Sequence, residues 1–128
     1  MKDYDTTTLA YIGDAVYELY IRRHVLGTGS CRADAMNKRA VRYVCADGQS
    51  LAAHSLMSGF LTEEETALLK RARNHTNTAK PRGTSPMCYK MATGLEALLG
   101  FLFIRGDKSR LNEIINECIR VVDGQNQK

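Results

Sequence analysis

A chain of 128 residues, 44% hydrophobic and 25% charged, has the length and composition of one compact globular domain, and two ordinary domains do not fit in it. No run is apolar and long enough to be read as a membrane span, and the opening MKDYDTTT lacks the apolar stretch of a signal peptide. The formal charge of +4 is unevenly spread: no acidic residue falls between Glu65 and Glu96, where Lys70, Arg71, Arg73, Lys80, Arg82 and Lys90 all lie.

Leu9, Ile12, Val16 and Leu19 recur at three- and four-residue intervals and predict an opening helix to about Leu26, with Thr6, Thr7 or Thr8 as its cap. Gly27-Thr28-Gly29 ends it, and Ser30 is positioned to cap a second helix carrying Ala33, Met36, Ala40 and Val44. A break is expected at Asp47-Gly48, after which Leu51, Ala52, Ser55 and Leu56 keep the period up to Gly59. Thr62 and Glu65 have the spacing of a capping box and start a helix running to about Asn74. His75 to Ser85 reads HTNTAKPRGTS, a loop whose three cations favour a functional role over a plain connector. Ser85-Pro86 opens a helix through Met91 to Ile104, and Gly106-Asp107 separates it from a last one with Leu111, Ile114, Ile115, Ile119 and Val122. The tail after Asp123 is expected to fray. The whole reads as an all-α single domain over residues 1–128, with its core at about 9–122.

Four scattered cysteines (Cys31, Cys45, Cys88, Cys118) without a C-x-x-C, and three dispersed histidines, point to reduced structural thiols and away from a zinc site. The acid-free stretch is better explained by a polyanionic partner than by a merely solvated face, and nucleic acid is the leading class. Lys38, Arg39 and Arg42, by contrast, read as ordinary solvated surface.

Two carboxylates carry the chemical signal. Asp14 follows Gly13 inside the first helix, and Glu96 is the single charge in Met91–Ile104, a stretch that also holds Gly94 and Gly100. An isolated buried carboxylate is costly and usually pairs with an arginine or caps a neighbour. Small residues beside a carboxylate in each of two apolar helices suggest instead that the helices cross closely, at Gly13 and Gly94, and bring Asp14 against Glu96. Glu18, one turn from Asp14, is a supporting candidate or a surface charge. Convergent carboxylates hold hard divalent ions, with water and phosphate completing the shell. From residues alone a metal-dependent nuclease stands only a little above a non-catalytic nucleic-acid-binding domain.

Leu9-Ala10-Tyr11-Ile12-Gly13-Asp14-Ala15-Val16 resembles the signature helix of the ribonuclease III catalytic domain, and Leu95-Glu96-Ala97-Leu98-Leu99-Gly100 resembles that family's second metal-binding helix. Gly59-Phe60-Leu61-Thr62-Glu63-Glu64-Glu65, Lys70-Arg71-Ala72-Arg73-Asn74 and Tyr89 with Thr93-Gly94-Leu95 extend the similarity to the short Mini-III branch, from about Leu9 to Val122. The resemblance implies a homodimeric helical bundle without a double-stranded RNA-binding domain. It implies an endoribonuclease that uses Mg²⁺, with Mn²⁺ able to substitute, to cut double-stranded RNA and leave 5′-phosphate and 3′-hydroxyl ends. Asp14 and Glu96 match the metal ligands. The implied substrate is the 23S ribosomal RNA precursor in a bacterial cytoplasm, with help from a large-subunit ribosomal protein as a further expectation. Lys70, Arg71, Arg73, Asn74, Lys80 and Arg82 are the candidate RNA contacts, and Tyr11, Tyr17 and Tyr20 are candidates for the dimer face or the core. Ala10 and Thr93 stand where larger family members carry additional acids, which keeps open an inactive RNA-binding relative acting in ribosome assembly. A helical adaptor for an acidic protein would explain the cations but not the carboxylates.

Overall fold

The computed structural model describes residues 3–29, 32–76 and 83–126. Six helices follow in order: α1 (Thr6–Leu26), α2 (Ala33–Val44), α3 (Ala46–Met57), α4 (Glu63–His75), α5 (Pro86–Arg105) and α6 (Lys108–Asn126). There is no strand among the described residues. The all-α expectation holds, and α5 lies at the centre, contacting α1, α3, α4 and α6. Its length and composition would suit a membrane span, yet Met91, Leu95, Leu98, Leu99 and Leu102 are fully buried against the other helices.

Local signals explain most boundaries. Thr62 accepts from the Glu65 N–H at 3.1 Å while Glu65 accepts from the Thr62 N–H at 2.9 Å, which completes the capping box of α4. Ser85 caps α5 through the Cys88 N–H, with Pro86 in the first turn, and Gly106 ends it in the left-handed region at φ 82°. Asp5, rather than a threonine, caps α1: its carboxylate accepts from the Thr8 N–H at 2.8 Å, a stronger acceptor than a hydroxyl. Arg32 precedes α2 without a side-chain cap, and Ser30 lies outside the described residues. The break between α2 and α3 falls at Cys45, two residues before the expected Asp47. Past Asp123, where fraying is expected, the helix continues to Asn126.

The buried stripe of α1 also differs from the expected one. Leu9, Ala10, Gly13, Val16, Tyr17, Ile21 and Val25 face the core, while Leu19 is 67% exposed. The stripe follows a four-residue row through Gly13, Tyr17, Ile21 and Val25, and Leu19 falls on the far side of the helix.

That row exists because α1 and α5 meet backbone to backbone. A Cβ placed on Gly13 would overlap the Glu96 carbonyl oxygen and sit 2.9 Å from the Gly100 nitrogen; one placed on Gly100 would overlap the Leu9 carbonyl and sit 3.0 Å from the Gly13 nitrogen. Gly13 and Gly100 therefore form the crossing, and Gly94 does not. Gly94 instead faces α4, where its Cβ would lie 2.7 Å from the Leu69 carbonyl oxygen. The expected pairing of Gly13 with Gly94 fails because Gly94 lies six residues before Gly100, about 1.7 turns, on the side of α5 that meets α4.

At the other end of the bundle Arg110 of α6 donates to both Glu65 oxygens, at 2.8 and 2.7 Å, and to the Phe60 carbonyl at 2.9 Å. The guanidinium holds the Glu65 carboxyl below its usual range.

The glycine crossing predicts a contrast. Gly13→Ala or Gly100→Ala must push the helices apart and should lower stability by about 1–3 kcal/mol or more. Gly124→Ala, with open space around it on α6, should leave stability unchanged or raise it by up to about 1 kcal/mol. Urea denaturation of the three variants checks the ordering.

Candidate active site

Asp14 follows Gly13 on α1, and the Gly13 Cα rests against the carbonyl of Glu96 itself. The close crossing thus places the two carboxylates together from opposite helices. Asp14 is exposed and Glu96 half-buried, so the pair opens to solvent on the Asp14 side. Burial, first, and then the charge and hydrogen bonding of Asp14 raise the Glu96 carboxyl to about 8, while a hydrogen bond from Gln49 acts in the opposite direction. At neutral pH the Glu96 carboxyl therefore keeps its proton.

The neighbours of the pair come from α1 and α3. Tyr17, one turn after Gly13, is 1% exposed; its hydroxyl has no hydrogen-bond partner among the described residues, and burial, with Glu96 among the surrounding charges, holds the phenol protonated. It belongs to the core, which removes it from the candidate dimer face. Gln49 of α3 is 3% exposed and reaches Glu96 with its carboxamide. Sequence periodicity missed Gln49, although Gly48-Gln49 repeats the pattern of Gly13-Asp14, a buried helical glycine followed by a polar residue.

Glu18 forms an ion pair with Arg22 at 2.9 Å, on the exposed side of α1. Ala10 is buried, and Thr93 donates its hydroxyl to the Tyr89 carbonyl at 3.0 Å, so neither position offers a carboxylate to the pair. Among the described residues no group of three or more His, Cys, Asp or Glu side chains converges.

The candidate RNA contacts lie on α4. Lys70, Arg71 and Asn74 are exposed, while Arg73 is half-buried and donates from Nε to the Asn74 side chain at 3.1 Å. Glu64 pairs with Arg105, and Leu69 abuts Gly94, so α4 runs antiparallel to α5 with its cationic end beside the N-terminal half of that helix. Lys80 and Arg82 lie outside the described residues.

Residues 7–107 match the Ribonuclease III domain family. The chain belongs to the ribonuclease III family. Proteins of this family act on double-stranded RNA and are generally dependent on divalent metal. The Mini-ribonuclease 3 of Enterococcus faecalis is 37% identical over 132 residues, covering 100% of both chains. That of Symbiobacterium thermophilum is 40% identical over 116 residues, covering 91% of this chain and 88% of its own. The crystal structure of protein FN1578 from Fusobacterium nucleatum superposes with a TM-score of 0.83 at 35% identity, covering 93% of this chain and 94% of that one. These relatives place the chain in the Mini-ribonuclease 3 branch, as its motifs implied.

The raised Glu96 carboxyl has a consequence for stability. Between the ordinary value of 4.5 and about 8 the folded protein keeps a proton that the unfolded chain releases, so stability falls as pH rises through that window. In metal-free buffer the thermal midpoint should drop between about pH 5.5 and about pH 8.5. Glu96→Gln should flatten that drop, raising the midpoint at the higher pH by on the order of 5 °C with little change at the lower. Scanning calorimetry at the two pH values measures it.

Proposed function

We propose that this ribonuclease III family member is a Mg²⁺-dependent endoribonuclease whose metal ligands are Asp14 and Glu96. The observation that carries the reading is the pairing of these carboxylates across the glycine crossing of α1 and α5. Two hard oxygen donors, one open to solvent, suit a cation that retains several waters and accepts substrate phosphate. A bound ion would polarise water for attack and neutralise charge on the phosphate. Asp14 and Glu96 would hold it, and Glu96 would give up its proton on binding, so affinity falls as pH drops below about 8. In this scheme hydrolysis leaves 5′-phosphate and 3′-hydroxyl ends and needs no general base from the protein. Mn²⁺, with similar size and ligand preference, is expected to substitute.

Lys70, Arg71, Arg73 and Asn74 would hold RNA phosphates and 2′-hydroxyls, the features that A-form helices present. Lys80 and Arg82 extend the same run in sequence. A homodimer is supported by apolar side chains left uncovered on the outer side of α1: Tyr11 is 79%, Leu19 67% and Leu26 55% exposed. Leu19 and Leu26 also line a groove of about 610 Å³ with Met36 and Ala40 of α2. Two-fold pairing through this side would set one site against each RNA strand. By similarity to the Mini-ribonuclease 3 relatives, we assign the 23S ribosomal RNA precursor in the bacterial cytoplasm as substrate. A large-subunit ribosomal protein would serve as helper by presenting that RNA to the site.

Incubation of the protein with double-stranded RNA should give cleavage with Mg²⁺ and none in chelator. Asp14→Asn should lose more than the ~10–100-fold typical of removing a partner behind a ligand. Wild-type protein that binds the RNA but cuts it with neither Mg²⁺ nor Mn²⁺ would instead identify an inactive relative, the reading that Ala10 and Thr93 leave open.

A further inference from the structure

Gln49 sits where a polar side chain is expensive. It is 3% exposed, in a helix whose neighbours Ala52, Ala53 and Leu56 are fully buried. Burying a carboxamide without partners costs about 1–3 kcal/mol in proteins, so the local chain must secure it. Three features do so. Cys45 caps α3 through its Sγ, which accepts from the Gly48 N–H at 3.4 Å. Gly48 has no room for a side chain, since a Cβ there would overlap the Arg42 carbonyl oxygen; the start of α3 is pressed onto the end of α2. Finally, the Gln49 Nε2 donates to the Val44 carbonyl at 2.9 Å.

That last bond fixes which way the carboxamide faces. A carbonyl oxygen can only accept, so the Nε2 side must lie against Val44. Its second N–H is then left for the Glu96 carboxylate, towards which it acts as a donor. The Oε1 atom, on the other side, is buried and has no partner among the described residues. The bond to Val44 serves the fold, by satisfying a carbonyl at the end of α2; the second N–H is what the site adds. Gln49 is held in one orientation by backbone atoms, and its one productive side-chain contact is with Glu96.

We propose that Gln49 is a positioning residue for the site: anchored by Val44, its carboxamide fixes the rotamer of Glu96 so that the free carboxylate oxygen points towards Asp14. The inference rests on the assignment of Asp14 and Glu96 as metal ligands. A ligand carboxylate whose other oxygen is hydrogen-bonded loses less freedom when the ion arrives, and groups in this position commonly contribute about 10–100-fold to metal affinity. Gln49 does not touch the ion or the RNA in this arrangement. It acts through Glu96, from a third helix, which makes α3 part of the site without adding a ligand.

The test measures metal binding directly. Mn²⁺ is titrated into the metal-free full-length protein by calorimetry or by paramagnetic resonance of the free ion, for wild type, Gln49→Met and Asp14→Asn. Met matches the length of Gln without its donors. Gln49→Met is expected to weaken Mn²⁺ binding by roughly 10-fold or more. It should raise the Mg²⁺ concentration for half-maximal cleavage by a similar factor, while RNA binding in chelator stays at the wild-type level. A purely structural role would lower the thermal midpoint and leave Mn²⁺ affinity alone. Gln49→Asn keeps a carboxamide too short to span from Val44 to Glu96, and gives the same reading if the Met variant does not fold. Wild-type Mn²⁺ affinity in a folded Gln49 variant overturns the proposal by itself. Wild-type protein that fails to bind Mn²⁺, or Asp14→Asn that binds it as tightly as wild type, overturns the ligand assignment and this inference with it.

Discussion

The contact on which the molecule depends is the direct meeting of the α1 and α5 backbones at Gly13 and Gly100. Ridge-into-groove packing ordinarily keeps helix axes 8–10 Å apart, with side chains between them. Here the intervening side chains are absent, and carbonyl and amide groups of the two helices lie against one another. Everything else is arranged around this contact: α3, α4 and α6 wrap the remaining sides of α5, and the α1 stripe is rotated so that Gly13, Tyr17, Ile21 and Val25 all reach inward. Helix glycines cost about 1 kcal/mol each in propensity, and the dense apolar burial along α5 offsets that cost.

The crossing also decides the electrostatics. With the Glu96 carbonyl resting on Gly13, residue 14 cannot be far from residue 96, and the two acids meet whether or not their charges favour it. Burial and the neighbouring Asp14 charge leave the Glu96 carboxyl holding a proton at neutral pH. A cation held by both groups, as proposed, would let Glu96 ionise and be neutralised at once. The close approach lowers stability locally as pH rises above the ordinary carboxylate range, and the large apolar core makes that tolerable.

Much of this was legible in the residues. The capping box at Thr62 and Glu65, the Ser85-Pro86 start and the Gly106 stop each depend on contacts within one turn, and each falls where the sequence places it. The Asp14–Glu96 pairing was legible for a different reason: a glycine beside an acid inside an apolar helix has few physical explanations. Information failed where several elements compete for the same side chain. Which of Gly94 and Gly100 meets α1 depends on the rotation of α5, and that is set by α4 pressing Leu69 onto Gly94. Leu19 looked buried because periodicity identifies an apolar face but not the axis of the neighbour it meets. Gln49 was invisible because its worth comes from Val44 and Glu96, one just outside its helix and the other in a distant one.

The capping box of α4 carries a last implication. Glu65 serves at once as the cap of its own helix and as the partner of Arg110 on α6, with the guanidinium also reaching the Phe60 carbonyl and lying over the Phe60 ring. A single carboxylate therefore ties together the turn before α4, the start of α4 and the start of α6. Such a group cannot drift independently over evolutionary time: an exchange at position 65 would demand simultaneous repair at 62 and 110. The junction of α4, α6 and the turn before α4 is thereby mutationally coupled, since a change at any one of the three positions disturbs the contacts of the other two.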